Sequence, residues 1–258
     1  MTMHCLRAGA GAPPLVFVHG FGCAHEDWRM QVDRFSGTRQ VLACDLRGHG
    51  RTPGAPEDCT IERYGADVAE LLGTLDSPAV LVGHSMGCRV VLEANRASSG
   101  RVAALALVDG SRMGTGDAAQ AEEAMRAAIE FTGYPAFAEA LFSQMFFKPS
   151  AESAHIIERA KRLPAKVGMA LFPTMVRWDA AQMENALSAV RAPLLAIQST
   201  TLNADRKRVP LRPGETTPWL ELVRRRVPAA RIEIVPGVGH FAQIEAGEQV
   251  NAFIASLL

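Results

Sequence analysis

The chain has 258 residues, 48% of them hydrophobic and 21% charged, which suits one large globular domain or two small ones around a substantial core. Its 27 Lys and Arg balance 27 Asp and Glu, so no net field draws it to nucleic acid or to an anionic membrane. No apolar run approaches the roughly 20 residues that cross a bilayer, and the opening Met-Thr-Met-His-Cys-Leu-Arg holds neither an apolar leader core nor a cleavage site. The expectation is a soluble, cytoplasmic monomer or homodimer without nucleic-acid or membrane partners.

In chain order, one strand at most is expected before the first buried run, near residues 4–7. Apolar runs then recur at residues 15–18, 41–44, 79–82, 102–108 and 194–197, each bounded by Gly, Pro or Asp. Such runs read as buried parallel strands. Between two of them, Ile61, Tyr64, Val68, Leu71, Leu72 and Leu75 share one helical face, with Thr60 placed to cap it. A helix should follow Ser85, and a last one carries Val250, Phe253, Ile254 and Leu257 on one stripe. Strand and helix therefore alternate, the pattern of an α/β fold with a mostly parallel central sheet and helices on both faces. Residues 114–190 break the rhythm with helical segments near 118–130 and 137–146 and no convincing strand, so they read as a helical insertion. Residues 200–218 read as a long loop, a length that is often functional. The cysteines at 5, 23, 44, 59 and 88 are odd in number and contain no C-x-x-C pair, which suits reduced, buried thiols.

Gly83-His84-Ser85-Met86-Gly87 follows the run at 79–82 and precedes a helix. A serine at a sharp strand-to-helix turn sits in a strained backbone and needs glycine two residues to either side for close packing. The helix N-terminus behind it favours developing negative charge. No His-Glu-x-x-His and no G-x-G-x-x-G occurs, so neither a metal nor a dinucleotide cofactor is implied.

With this turn on the page, the chain resembles the α/β-hydrolase fold superfamily, in its serine branch with a helical cap. Three further landmarks carry the resemblance: His19-Gly20-Phe21-Gly22 after the first buried run, Asp45-Leu46-Arg47-Gly48-His49-Gly50 after the next, and Gly237-Val238-Gly239-His240-Phe241 near the end. The resemblance implies a core from residues 1–113 and 191–258 with a cap at 114–190. It also implies acyl transfer with Ser85 as nucleophile, His240 as its base, and the backbone N–H groups of Phe21 and Met86 as an oxyanion hole. His19, His49 and His84 lie inside loop motifs where structural hydrogen bonds are the default.

The triad acid departs from the common pattern, because the interval after the run at 194–197 reads Gln-Ser-Thr-Thr-Leu-Asn and holds no carboxylate. Asp109, at the end of the run 102–108, is one candidate. Asp205 is the other, in a cluster with Arg206, Lys207 and Arg208 that equally suits a solvated surface.

Trp178 and Phe21 are the candidate pocket walls, and Arg112 either meets a substrate carboxylate or pairs within the cap. The implied activity is cofactor-free hydrolysis of a small to medium, mainly apolar ester, thioester or lactone by a carboxylesterase. Two alternatives stay open, a C–C bond hydrolase of ring-cleavage diketones and a ligand receptor on a hydrolase fold. A carboxylate nucleophile, needed by dehalogenases and epoxide hydrolases, is absent at position 85.

Overall fold

A computed structural model describes residues 3–203 and 207–258. Its strands are β1 (Cys5–Ala8), β2 (Leu15–Val18), β3 (Val41–Cys44), β4 (Ala79–His84), β5 (Val102–Val108), β6 (Leu194–Gln198), β7 (Thr200–Leu202), β8 (Arg208–Pro210) and β9 (Arg231–Ile234). Seven of these form one sheet in the order β1-β3-β2-β4-β5-β6-β9, while β7 and β8 pair as a separate antiparallel hairpin. Within the large sheet only β1 runs antiparallel, against β3. The mostly parallel α/β architecture expected from the apolar runs is therefore present. β4 extends through Gly83 and His84, two residues past the apolar run, and so delivers Ser85 at its very tip.

The helices are α1 (Arg29–Phe35), α2 (Ile61–Gly73), α3 (Met86–Ala97), α4 (Ala118–Thr132), α5 (Tyr134–Phe142), α6 (Ala151–Arg162), α7 (Ala165–Ala181), α8 (Met183–Ser188), α9 (Pro218–Arg226), α10 (Ala242–Glu245) and α11 (Gly247–Ala255). Thr60 caps α2 as expected, its hydroxyl accepting from the Arg63 amide at 3.2 Å. Side chains alternate across each strand, so the sheet feeds two cores. Val16, Leu42, Leu81, Leu105 and Ala196 join α2, α3 and α9 on one face. Leu15, Val41, Val80, Ala106 and Leu195 join α1 and α11 on the other.

Strand order reverses between β2 and β4, where Val18 pairs with Gly83. Ligands of open parallel sheets sit at the carboxyl ends of strands beside such a switch point. The loop after β2 and the turn after β4 open there together.

Helices α4 to α8 fill the interval between β5 and β6 and pack on the same core as α2 and α3. One buried ion pair ties them down: Arg89 of α3 donates from Nε and Nη2 to Asp179 of α7 at 2.6 and 2.7 Å. The pair is almost wholly enclosed, with side-chain exposures of 1% and 0%. A second tie joins Arg159 of α6 to Asp27 at 2.5 Å.

Two expectations are corrected here. Residues 200–218 are not an unstructured loop, since the hairpin β7–β8 occupies their first half with Thr200 opposite Pro210 and Leu202 opposite Arg208. Cys5 and Cys44 are not free thiols: they are register partners in the antiparallel β1–β3 pair, which brings their Cα atoms to 4.1 Å, and they form a disulfide. Cys23, Cys59 and Cys88 are free and buried, as expected. Among the described residues no helix is long and apolar enough to cross a membrane.

Truncation of one member of an enclosed pair strands the other charge. Asp179→Ala is therefore expected to cost about 3–5 kcal/mol, read as a lower midpoint in urea denaturation.

Candidate active site

Ser85 sits between β4 and α3 with φ 54° and ψ −112°, a left-handed conformation that side-chain-bearing residues rarely hold. Its amide donates to the Val108 carbonyl of β5 at 3.0 Å, which fixes the turn to the neighbouring strand. The flanking glycines are sterically required. A Cβ at Gly83 would lie 2.3 Å from the Gly87 carbonyl oxygen, and one at Gly87 would lie 2.3 Å from that of Val18. Gly20 approaches from the β2 loop so closely that its own Cβ would meet Cβ of Ser85 at 3.2 Å.

Asp109 follows β5 directly and is fully buried. It too has positive φ, 45°, and its amide donates to Ile197 of β6 at 2.7 Å. That turn aims the carboxylate at three residues. Oδ1 accepts from the amides of Ser199 and Thr200 at 2.8 and 2.9 Å. Oδ2 accepts from the Thr200 hydroxyl and from Nδ1 of His240, the latter at 2.5 Å.

His240 is clamped by its own backbone. Its amide donates to the Met145 carbonyl after α5 at 2.7 Å, and its carbonyl accepts from Nε2 of His84 at 2.9 Å. With Nδ1 given to Asp109, the buried Nε2 of His240 has no partner among the described residues. The cavity in front of it is shared with Gly20, Phe21, Ser85, Phe142, Met145, Phe172, Met175 and Phe241. The amides of Phe21 and Met86 likewise have no acceptor among the described residues. An unpaired imidazole nitrogen, a strained serine and Phe21 with its free amide thus line one small, mainly apolar space, with the free Met86 amide next to Ser85 in the chain. Such a set can take a proton, present a nucleophile and hold a developing oxyanion.

The electrostatics keep the imidazole neutral. Burial depresses His240 to about 4 from its usual 6.5, helped by the Arg208 charge and opposed by Asp109. For Asp109 burial pulls upward, but the His240 hydrogen bond and charge, Arg208 and the Thr200 hydroxyl outweigh it and hold the carboxyl at about 2.

Of the two candidate acids, Asp109 meets His240; Asp205 lies outside the described residues. Phe21 lines the cavity. Trp178 does not. It is 1% exposed, and its indole Nε1 donates to Glu93 of α3 at 3.3 Å, because this face of α7 turns into the core rather than the cavity. Arg112 does not line it either, being tied to Glu184 of α8 at 2.8 Å. His19, His49 and His84 make the loop hydrogen bonds expected of them: the Leu46 amide donates to His19 at 3.0 Å and the Gly22 amide to His49 at 3.2 Å.

Two participants escape sequence reasoning, Thr200 and Arg208. Arg208 reads as one of a surface run of charges, yet its side chain is only 10% exposed and its Nη1 lies 3.5 Å from Asp109 Oδ2. The β-branched Thr200-Thr201 followed by Val209 was the available signal for the hairpin that brings it inward.

A model of the alpha/beta hydrolase family matches residues 15–253. The chain belongs to this family. A relative from Pseudomonas putida, the dihydrolipoyllysine-residue acetyltransferase component of an acetoin cleaving system, is 28% identical over 97% of the chain. The chain spans 64% of that relative's length. Among solved structures, a thermophilic esterase from Thermogutta terrifontis superimposes with a TM-score of 0.80 at 23% identity, covering 98% of this chain and 92% of the esterase. The enol-lactonase from Burkholderia xenovorans LB400 does so with a TM-score of 0.76 at 23% identity, covering 99% and 95%. Both likenesses extend the α/β-hydrolase fold across nearly the whole chain.

A depressed folded-state pKa means that the unfolded chain binds the proton first. Stability associated with His240 is therefore present above about 6.5 and lost as pH falls from there to about 4, and that of Asp109 is lost between 3.8 and about 2. The imidazole C–H resonance of His240 in an NMR titration is expected to move near pH 4, and a midpoint at 6.5 or above would contradict the buried geometry.

Proposed function

We propose that the protein is a cofactor-free serine hydrolase acting on a small carboxylic ester or lactone, with Ser85, His240 and Asp109 as its triad and residues 114–190 as a cap over the site. The observation that carries this reading is the free, buried Nε2 of His240, whose Nδ1 is held by Asp109, facing the cavity that Ser85 enters. Esterases and lactonases among the structural neighbours add weight to it.

Ser85 Oγ attacks the acyl carbonyl carbon while His240 Nε2 takes the hydroxyl proton. The tetrahedral oxyanion forms against the amides of Phe21 and Met86, where each fixed donor supplies about 3–4 kcal/mol. Collapse expels the alkoxide, which receives the proton from His240, and leaves Ser85 acylated. A water molecule then attacks the acyl carbon, His240 takes one of its protons, and breakdown releases the carboxylic acid and restores the serine. Asp109 remains ionised throughout, orients the imidazole tautomer and balances the transient imidazolium. A base held neutral down to about pH 4 is ready to accept a proton at neutral pH without prior titration.

The apolar wall of Phe142, Phe172, Met145 and Met175 favours an acyl chain over a polar headgroup. Ser85→Ala and His240→Ala are each expected to lower turnover of a short-chain chromogenic ester by about a thousandfold or more; Ser85→Ala should leave thermal unfolding unchanged, whereas His240→Ala strips a buried partner from Asp109 and should lower the unfolding midpoint. Wild-type rates in a folded Ser85→Ala protein would overturn the assignment. A stoichiometric burst without turnover in the wild type would favour a receptor instead.

A further inference from the structure

Two guanidinium groups stand in the wall of the otherwise apolar cavity, Arg89 and Arg208. Arg89 is fully engaged, with Nε and Nη2 on Asp179, Nη2 also on the Ser111 carbonyl, and Nη1 on that of Ser85. Arg208 differs. Among the described residues its one side-chain hydrogen bond runs from Nη1 to the Thr200 hydroxyl at 2.6 Å, with Asp109 Oδ2 a further 3.5 Å neighbour of the same nitrogen. Among the described residues, Nε and Nη2 of Arg208 have no partner.

Asp109 does not account for this arginine. Two amides, one hydroxyl and one imidazole already occupy its oxygens. The Thr200 hydroxyl donates to Asp109 and accepts from Nη1, so it orients the guanidinium and leaves the opposite edge unused. That edge, Nε with Nη2, is the planar two-donor fork that binds a carboxylate by parallel hydrogen bonds. Standing in the wall of the cavity with no partner among the described residues, this fork is available to a ligand carboxylate.

We propose that Arg208 is a substrate-anchoring residue, and that the site takes esters or lactones bearing a free carboxylate, held by the Nε–Nη2 edge while the ester carbonyl lies at Ser85. This rests on the ester-hydrolase reading above. Neither Arg112 nor Arg177 competes for the role, since they pair with Glu184 and Glu122 and do not line the cavity.

The experiment compares charged and neutral esters of matched size in wild type, Arg208→Gln and Arg208→Lys. One pair, p-nitrophenyl hydrogen glutarate and p-nitrophenyl pentanoate, carries the charge on the acyl side. The other, p-acetoxybenzoate and phenyl acetate, carries it on the leaving group. Arg208 also touches the support of Asp109, so both variants are expected to slow both members of a pair, and the ratio within a pair is the readout. The wild type is expected to prefer the charged member of at least one pair by about ten- to a hundredfold in kcat/KM, chiefly through KM. In Arg208→Gln that ratio should fall to about one, within the same pair arithmetic. Arg208→Lys keeps the charge but loses the fork and should fall between; it also decides the matter if the glutamine variant does not fold.

No preference in wild type for either pair, or a preference that both variants retain, overturns the proposal and leaves Arg208 a positioning residue for Asp109. If wild type hydrolyses none of the four esters, the hydrolase reading fails separately. Calorimetric titration with glutarate then decides the anion site: binding weakened about tenfold or more in Arg208→Lys supports it, and no binding or equal binding overturns it.

Discussion

The buried charge of Asp109 is the constraint around which the rest of the site is arranged. A carboxylate removed from water has to find compensation from fixed donors, and here they come from two separate stretches of chain: Ser199 and Thr200 after β6, through both amides and the Thr200 hydroxyl, and His240 before α10. Each of these stretches owes its placement to the sheet. β5 and β6 run side by side, so the residue that follows one naturally meets the residues that follow the other. His240 must come to the same point from the far end of the chain, and its backbone is pinned by Met145 and His84 to keep it there. Satisfying one anion therefore orders the sheet edge, the hairpin and the histidine loop together.

The parts governed by short-range physics were open to reading from the amino-acid order. Buried parallel strands are continuous apolar runs, and β3 and β5 end where Asp45 and Asp109 interrupt them. The serine turn announced itself because Gly83 and Gly87 face carbonyl oxygens that leave no volume for a side chain. The choice between Asp109 and Asp205 was undecided in the sequence because both are reachable on paper. Only the pairing of β5 with β6 puts the first of them against His240.

What stayed hidden depends on long-range placement. Strands of three residues, as in β7 and β8, are too short to show a period, so their hairpin looked like loop and Arg208 looked solvated. Trp178 lies on a helix packed on several sides, and nothing in the spacing of α7 says which side meets the cavity. The Cys5–Cys44 bond depends on an antiparallel register that no local pattern encodes. The edge strand β9, Arg-Ile-Glu-Ile, alternates polar and apolar residues and lacks the fully buried pattern that marked the others.

The ion pair between Arg89 and Asp179 also limits how the molecule can be recombined. Arg89 lies one helical turn beyond Ser85 in α3, whereas Asp179 belongs to α7, far along the chain. Their mutual burial means that α3 and α7 cannot be exchanged independently of each other. A chimera that takes α7 from a sequence lacking the acid would leave an uncompensated cation one turn beyond the serine. Any such graft has to carry both partners or neither.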